Sequence, residues 1–400
     1  MLSNKLRKKR LIESISSKTL DAILVTSPEN VFYITGFTPH QLTVSRQPGF
    51  AYAIVFPDEN HRDFLITMDY EVPTFKNKSD EVEVLSYDTW VGVKSYDEFV
   101  NKKDEPKINK FRTSMDIVED LINEYNLSSS VVGLEMQSLP VSHMHILTER
   151  FPNIRWIDVS DDFLIARSIK MNDEIEIYRR LTEACDKALH EMSKYVEVGA
   201  EIMNLIKIYR TSCLKNGFTP SSWSMLGSGP NSSMLKLPSN HVIKDGESLR
   251  FDGGCEADFK FYKTDFSRSW LVGRPDKKLV EIKKILLDAQ SHMIEKIKPG
   301  LQFNELFELG FSKVKKKIPN YSRGHLGHSI SLGPQTADKP YIALNETRQI
   351  EPGMILCIEV PFYIRDYNGF NIEDMILVTE NGAEVLTYRT PHILPMEEFL

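Results

Sequence analysis

Cysteine is scarce in this chain: four in 400 residues, Cys185, Cys213, Cys255 and Cys357, widely spaced and without a CxxC pair. That excludes a disulfide framework and is most simply read as a reducing cytoplasm. Long apolar runs are missing too. None approaches the ~20 residues that a membrane span needs. No signal-type apolar stretch follows the basic start Met1-Leu-Ser-Asn-Lys-Leu-Arg-Lys-Lys-Arg10. A soluble cytoplasmic protein is expected, with the basic cluster as the solvated face of a first helix. There is no excess of positive charge: 49 Lys and Arg face 56 Asp and Glu, a net −7. A mildly acidic chain lacks the footprint of a general nucleic-acid binder, so neither nucleic acid nor a membrane is expected as a partner. Gly and Pro stand at 20 each, with 41% apolar and 26% charged residues, and no repeat is visible. Collagen-like, low-complexity and disordered chains are thereby excluded.

What is present is enough material for two cores, because 400 residues exceed what one hydrophobic core usually serves. In the first 160 residues, runs at 21–27, 31–36, 52–56, 64–68 and 131–135 read as strands. Ile117, Leu121 and Ile122 mark a helix within 108–125. This is an α/β layer pattern. Asp173 then opens a long helix, with Glu176 as a capping-box partner and Tyr178, Leu181, Cys185, Ala188, Met192 and Tyr195 stepping by three and four. From Leu249 onward strands dominate, interrupted by helical stretches at 277–297 and 304–317, an α+β pattern. The domains expected are 1–165 and 166–400.

Five residues stand out in the second half: Asp252 in Leu249-Arg-Phe-Asp-Gly-Gly-Cys255, Asp265, His328, Glu359 after Met354-Ile-Leu-Cys-Ile358, and Glu373 before Asp374-Met-Ile-Leu-Val378. An acid inside an apolar strand is costly unless paired, protonated or metal-bound. Four carboxylates and one imidazole make a hard, oxygen-rich donor set suited to manganese, iron, cobalt or zinc. Any one of these acids alone reads as a turn cap or an ordinary ion pair; five together, in these contexts, read as a metal centre.

Their order and flanks resemble the pita-bread metallohydrolases: prolidase, aminopeptidase P, methionine aminopeptidase and the metal-free creatinase. Ser27-Pro-Glu-Asn-Val-Phe-Tyr-Ile-Thr-Gly-Phe37 resembles the creatinase/prolidase N-terminal domain, and Ala166-Arg-Ser-Ile-Lys-Met-Asn-Asp-Glu-Ile-Glu176 its linker into the catalytic domain. The resemblance implies an α+β chain: a pita-bread catalytic domain preceded by an α/β creatinase-like N-terminal domain. It also implies two divalent cations, Mn²⁺ first, with Co²⁺, Zn²⁺ or Fe²⁺ as alternatives, held by Asp252, Asp265, His328, Glu359 and Glu373. Glu359 would in addition move the proton between nucleophile and leaving nitrogen, with His325 as a further catalytic candidate. The implied activity is hydrolysis of a C–N bond in a small molecule, an Xaa-Pro dipeptide by default, by a homodimer in which one chain's N-terminal domain borders the partner's cleft.

Several positions depart from the family. Asp252 and Asp265 are thirteen apart, two more than usual; an even insertion preserves strand alternation, so both carboxylates keep one face. Asp258, in the expected hairpin tip, is a rival explained more simply by turn chemistry. Gln335 and Leu235 stand where the peptidases carry histidines, and Asn371 where they carry an arginine. Their loss is expected to weaken ordinary Xaa-Pro cleavage and leaves open a creatinase-like or ectoine hydrolase-like substrate, a sulfoniopropionate lyase-like reaction, or an inactive binding module. His40, Arg46, Gln335 and Asn371 are candidate substrate contacts. Lys236, His241 and His392 read as surface residues.

Overall fold

A computed structural model describes residues 2–58, 60–75, 82–91, 93, 95–101, 113–258, 260–334, 336–387 and 391. The chain divides into two compact units, Met1–Arg167 and Ser168–Leu400.

The first unit holds a six-stranded sheet. Its strands are β1 (Ala22–Val25), β2 (Tyr52–Val55), β3 (Asp63–Met68), β4 (Val82–Tyr87), β5 (Val131–Leu134) and β6 (Arg155–Asp158), in the order β4-β3-β2-β1-β5-β6. Strands β1, β2 and β3 are buried at every position. Helices α1 (Leu2–Ser14), α2 (Pro28–Thr35), α3 (Ser114–Glu124) and α4 (Val141–Arg150) belong to this unit together with further helical segments. The sequence argues a strand over 31–36, but the chain is helical there. Ser27 accepts the Asn30 N–H, Pro28 opens the first turn, and Gly36 closes it at φ +69. These caps outweigh the strand preference of the β-branched and aromatic side chains between them. The helix expected over 108–125 is described only from Ser114, because residues 102–112 lie outside the described residues. Nor is the basic face of α1 wholly solvated: Arg7 is buried with its guanidinium over Tyr33, and Lys8 pairs with Asp63 at 2.8 Å.

The second unit opens with α5 (Asn172–Ser193), capped two residues earlier than the sequence suggests: Met171 N–H donates to Glu174 at 2.9 Å. Tyr195 falls beyond its end and is exposed. Helix α6 (Ile202–Lys215) follows. An eight-stranded sheet then forms from β7 (Met225–Ser228), β8 (Ser248–Gly253), β9 (Phe266–Leu271), β10 (Gly327–Ser329), β11 (Asp338–Tyr341), β12 (Ile355–Glu359), β13 (Glu373–Thr379) and β14 (Gly382–Val385). Its order is β11-β10-β12-β13-β9-β8-β7, with β14 pairing β13. Helices α7 (Lys277–Lys296) and α8 (Phe303–Lys315) contribute Leu286, Met293, Phe303 and Phe307 to one apolar core with Leu356, Ile358 and Ile376 of the sheet. Alternation along β12 and β13 thus sends one set of side chains into this core and the other set, Cys357, Glu359, Glu373 and Met375, to the opposite face. Among the described residues, no helix is long and apolar enough to cross a membrane.

Candidate active site

Cross-strand register builds the site. Ser267 of β9 lies opposite both Asp252 of β8 and Glu373 of β13, and Glu373 lies opposite Glu359 of β12. Asp252, Ser267, Glu373 and Glu359 therefore form one row on one face, because directly paired residues share a face. His328 of β10 pairs with Cys357, two residues before Glu359, and Cys357 pairs with Met375. Asp265, just before β9, lies two residues from Ser267 and so joins the same face. Its N–H meets Met375 Sδ at 3.4 Å, and its carbonyl accepts the Cys357 thiol at 3.3 Å. Two glycines permit the close approaches. A Cβ at Gly254 would stand 1.9 Å from the Thr264 carbonyl oxygen, where the two sides of the hairpin converge. At Gly327, with φ +133, it would stand 2.0 Å from the Cys357 carbonyl oxygen, so only glycine brings His328 against β12.

All five sequence-singled residues are buried, and the structure brings them together. Ligand-type atoms of Asp252, Asp265 and Glu373 lie within 4.8 Å of one another, as do those of His328, Cys357 and Glu373. His328 Nε2 is 3.6 Å from Asp265 Oδ2 and 3.9 Å from Glu373 Oε1. Its Nδ1 stands 2.9 Å from the Ser329 carbonyl, which accepts only from a protonated Nδ1; Nε2 is then left as a lone pair facing the carboxylates. Burial, first, lowers the imidazole pKa and favours that neutral form.

The carboxylates differ in how they are held. Burial, reinforced by the charges of its neighbours, pushes Asp265 and Glu373 well above the ordinary carboxylate range. Among the described residues, Asp265 Oδ1 is buried with no hydrogen-bond partner. Asp252 is raised by burial, with the Arg250 charge opposing. Glu359 is the exception: burial alone would raise it, but His325, Arg323 and His328 together hold it below the ordinary value. Arg323 donates from Nη2 to Glu359 Oε1 at 3.3 Å, and His325 Nδ1 lies 3.1 Å from the same oxygen. Behind the row, Arg268 donates to the Glu373 carbonyl and pairs with Asp374 at 2.7 Å, fixing the turn into β13.

Sequence reasoning missed three participants. Arg323 sits among Gly and Ser with nothing to raise it above a surface cation. Arg250 and Cys357 each stand two residues before a singled acid on a strand, so period-two alternation alone would have placed them on the same face. Asn371 donates to Asp252 Oδ2 at 3.3 Å and to Glu373 Oε2 at 3.2 Å, bridging two acids of the row. Asp258 is exposed and accepts from the Thr219 hydroxyl, away from the cluster. Leu235 and Lys236 are exposed. His241 is a correction: it is half-buried, 2.9 Å from Glu247, rather than a free surface residue. Gln335 and His392 lie outside the described residues. In the first unit, Arg46 pairs with the buried Glu29 at 2.8 Å, and His40 is exposed at the start of the short helix His40–Ser45.

A donor set of four carboxylates and one neutral imidazole, with a buried carboxylate oxygen left unpartnered, fits a divalent cation. Comparison with known proteins agrees. The Creatinase/Prolidase N-terminal domain matches residues 7–169, and the metallopeptidase family M24 matches residues 176–380. The chain is 26% identical over 402 aligned positions to an Xaa-Pro dipeptidase of Pyrococcus furiosus, covering 95% of this chain and 97% of that protein. Among solved structures, the prolidase from Pyrococcus furiosus superposes with a TM-score of 0.75 at 25% identity, over 95% of this chain and all of that one. The Xaa-Pro dipeptidase from Bacillus anthracis reaches a TM-score of 0.79 at 24% identity, over 98% of this chain and 100% of that one, a likeness of fold. The fold is thus a creatinase-like N-terminal domain followed by a pita-bread catalytic domain, and the chain belongs to metallopeptidase family M24 as a metal-dependent amide hydrolase.

Proposed function

We propose that Asp252, Asp265, His328, Glu359 and Glu373 hold divalent metal, with Mn²⁺ the ion best suited to so oxygen-rich a set, and that the protein hydrolyses the C–N bond of small Xaa-Pro-type dipeptides. The observation that carries this reading is the buried Oδ1 of Asp265, unpartnered among the described residues, within a cluster of carboxylates that lies beside a neutral imidazole. The donor set offers one cation position beside His328 and a second among Asp252, Asp265 and Glu373. A divalent ion bound there supplies Lewis acidity, acidifying water toward neutral pH and polarising the scissile carbonyl.

Glu359 is the proton carrier. Its Oε1 is held by Arg323 and His325, which keeps it ionised at neutral pH. It accepts a proton from the attacking water and delivers it to the leaving nitrogen as the C–N bond breaks. Asn371 keeps Asp252 and Glu373 in register. The relatives, an Xaa-Pro dipeptidase and a prolidase, favour this branch over creatinase-like, ectoine hydrolase-like, lyase-like or non-catalytic readings.

Gly-Pro, Ala-Pro and Leu-Pro assayed with added Mn²⁺, Co²⁺ or Zn²⁺ test the reading. Metal-dependent release of proline supports it, and its absence with every metal refutes it. Because Asn371 has no guanidinium and Leu235 no proton to offer, kcat/KM is expected below about 10⁴ M⁻¹s⁻¹. A homodimer is part of the proposal; a monomer by sedimentation at micromolar concentration contradicts that part.

A further inference from the structure

The two ends of the carboxylate row are each occupied by an arginine, and the Asp252 end is the more firmly claimed. Arg250 precedes Asp252 by two residues on β8 and so shares its face; it is 1% exposed. Its guanidinium is held on three sides. Nε donates to the Ser232 carbonyl at 2.8 Å, Nη2 to the Met234 carbonyl at 2.8 Å, and Nη1 to Asp252 Oδ2 at 2.9 Å. The Tyr363 ring covers it at 5.5 Å. Two of the three anchors are backbone carbonyls, so the position of the charge is set by the chain fold and not by Asp252.

Resting on the reading above, we infer that Arg250 takes the place of one cation: the site binds a single divalent ion tightly, on the His328 side, and the Asp252 side is filled by a resident guanidinium. Two observations carry this. The first is geometry. Asp252 Oδ2 already receives Arg250 and Asn371, so only Oδ1 is uncommitted and Asp252 cannot clamp a second ion with both oxygens. The second is charge. Asp252, Asp265, Glu359 and Glu373 sum to −4, and the two arginines paired directly with the row, Arg250 and Arg323, return +2; the −2 left is no more than one divalent ion balances, and the buried Lys170 nearby only lowers the need for a second. Asp374 does not alter the count, since Arg268 pairs with it at 2.7 Å. A guanidinium cannot deprotonate to make room, so a second ion beside Asp252 meets a fixed positive charge in a buried site.

The test is metal stoichiometry. The full-length protein, stripped with chelator, is titrated with Mn²⁺ by equilibrium dialysis and with Co²⁺ by visible absorption. One tight equivalent is expected, with a second at least ~10²-fold weaker, the scale on which a fixed like charge in a buried site acts. In Arg250→Met, which keeps the aliphatic stem, the second equivalent should tighten by ~10-fold or more while the first is unchanged. Asn371→Ala, which frees the same oxygen without removing charge, should tighten it less. Two equivalents of similar affinity in the unaltered protein overturn the inference even if Arg250→Met does not fold, while leaving the metallohydrolase reading intact. An unchanged affinity ratio in a folded Arg250→Met overturns it as well. No bound metal at all overturns both.

Discussion

Glu135 and Asp265 are both fully buried acids, one in each unit, and they are treated oppositely. Glu135 accepts from the Thr26 and Ser27 N–H groups at 2.7 and 3.1 Å and from the Ser27 hydroxyl and the Asn30 amide. Asn30 is fixed in turn by Arg167 at 2.9 Å. Every lone pair that a carboxylate needs satisfied is answered by the turn into α2. Among the described residues, Asp265 Oδ1 is unanswered, and Asp252, Glu359 and Glu373 are its neighbours. Burial raises the pKa of both, so the direction of a pKa shift does not tell a structural acid from a ligand. The difference lies in unsatisfied oxygens: a buried acid surrounded by donors locks a turn, and one surrounded by acids awaits a cation.

That contrast is broken or sharpened by exchanging the roles. The largest effect is expected from Asp265→Ala: tightly bound metal is lost and kcat/KM falls by more than ~10³-fold, beyond the loss of a single oxyanion donor, while thermal stability of the metal-free protein is unchanged or improved. Metal analysis and calorimetry on one preparation check both halves. Glu135→Ala should do the reverse. It strands several buried donors and costs about 3 kcal/mol, a fall of roughly 10 °C in the melting of its unit, with metal content per folded molecule intact.

A third expectation concerns pH. Asp265 and Glu373 have folded-state pKa values above their unfolded ones, so the metal-free native state binds more protons than the unfolded state over the interval between the two. Stability of the metal-free protein should therefore rise as pH falls from neutral toward the ordinary carboxylate values of 3.8 and 4.5. Glu359, whose pKa is lowered, contributes stability that is lost only as pH falls through and below 4.5. Added metal should flatten the upper part of the profile. Equal slopes with and without metal, or in Asp265→Asn, would remove these two acids as its source. The smallest effect is expected for Asn371→Ala, a few-fold drop in kcat/KM and about 1 kcal/mol, since it removes two long hydrogen bonds from a site whose register is already set by strand pairing.

Local pattern carried much of this molecule. Apolar strand runs around Glu359 and Glu373, helical spacing in α5, helical stretches at α7 and α8, and material for two cores were visible in the residues themselves, because local pattern follows directly from backbone geometry. The four acids and one histidine stood out together, Glu359 and Glu373 because they interrupt apolar strands. What failed locally was Val31–Gly36, where caps at both ends decided for helix. Tertiary structure alone decided the rest. Strand order β10-β12-β13-β9-β8 sets which acids stand opposite each other, and that order arises from long-range pairing invisible to a sliding window. Arg250, Arg323 and Cys357 are ordinary residues in one dimension. They acquire meaning because backbone carbonyls 16 and 18 residues away hold Arg250, and a glutamate 36 residues away holds Arg323. A charge's worth depends on the dielectric and the partners around it, and those exist only once the chain has folded.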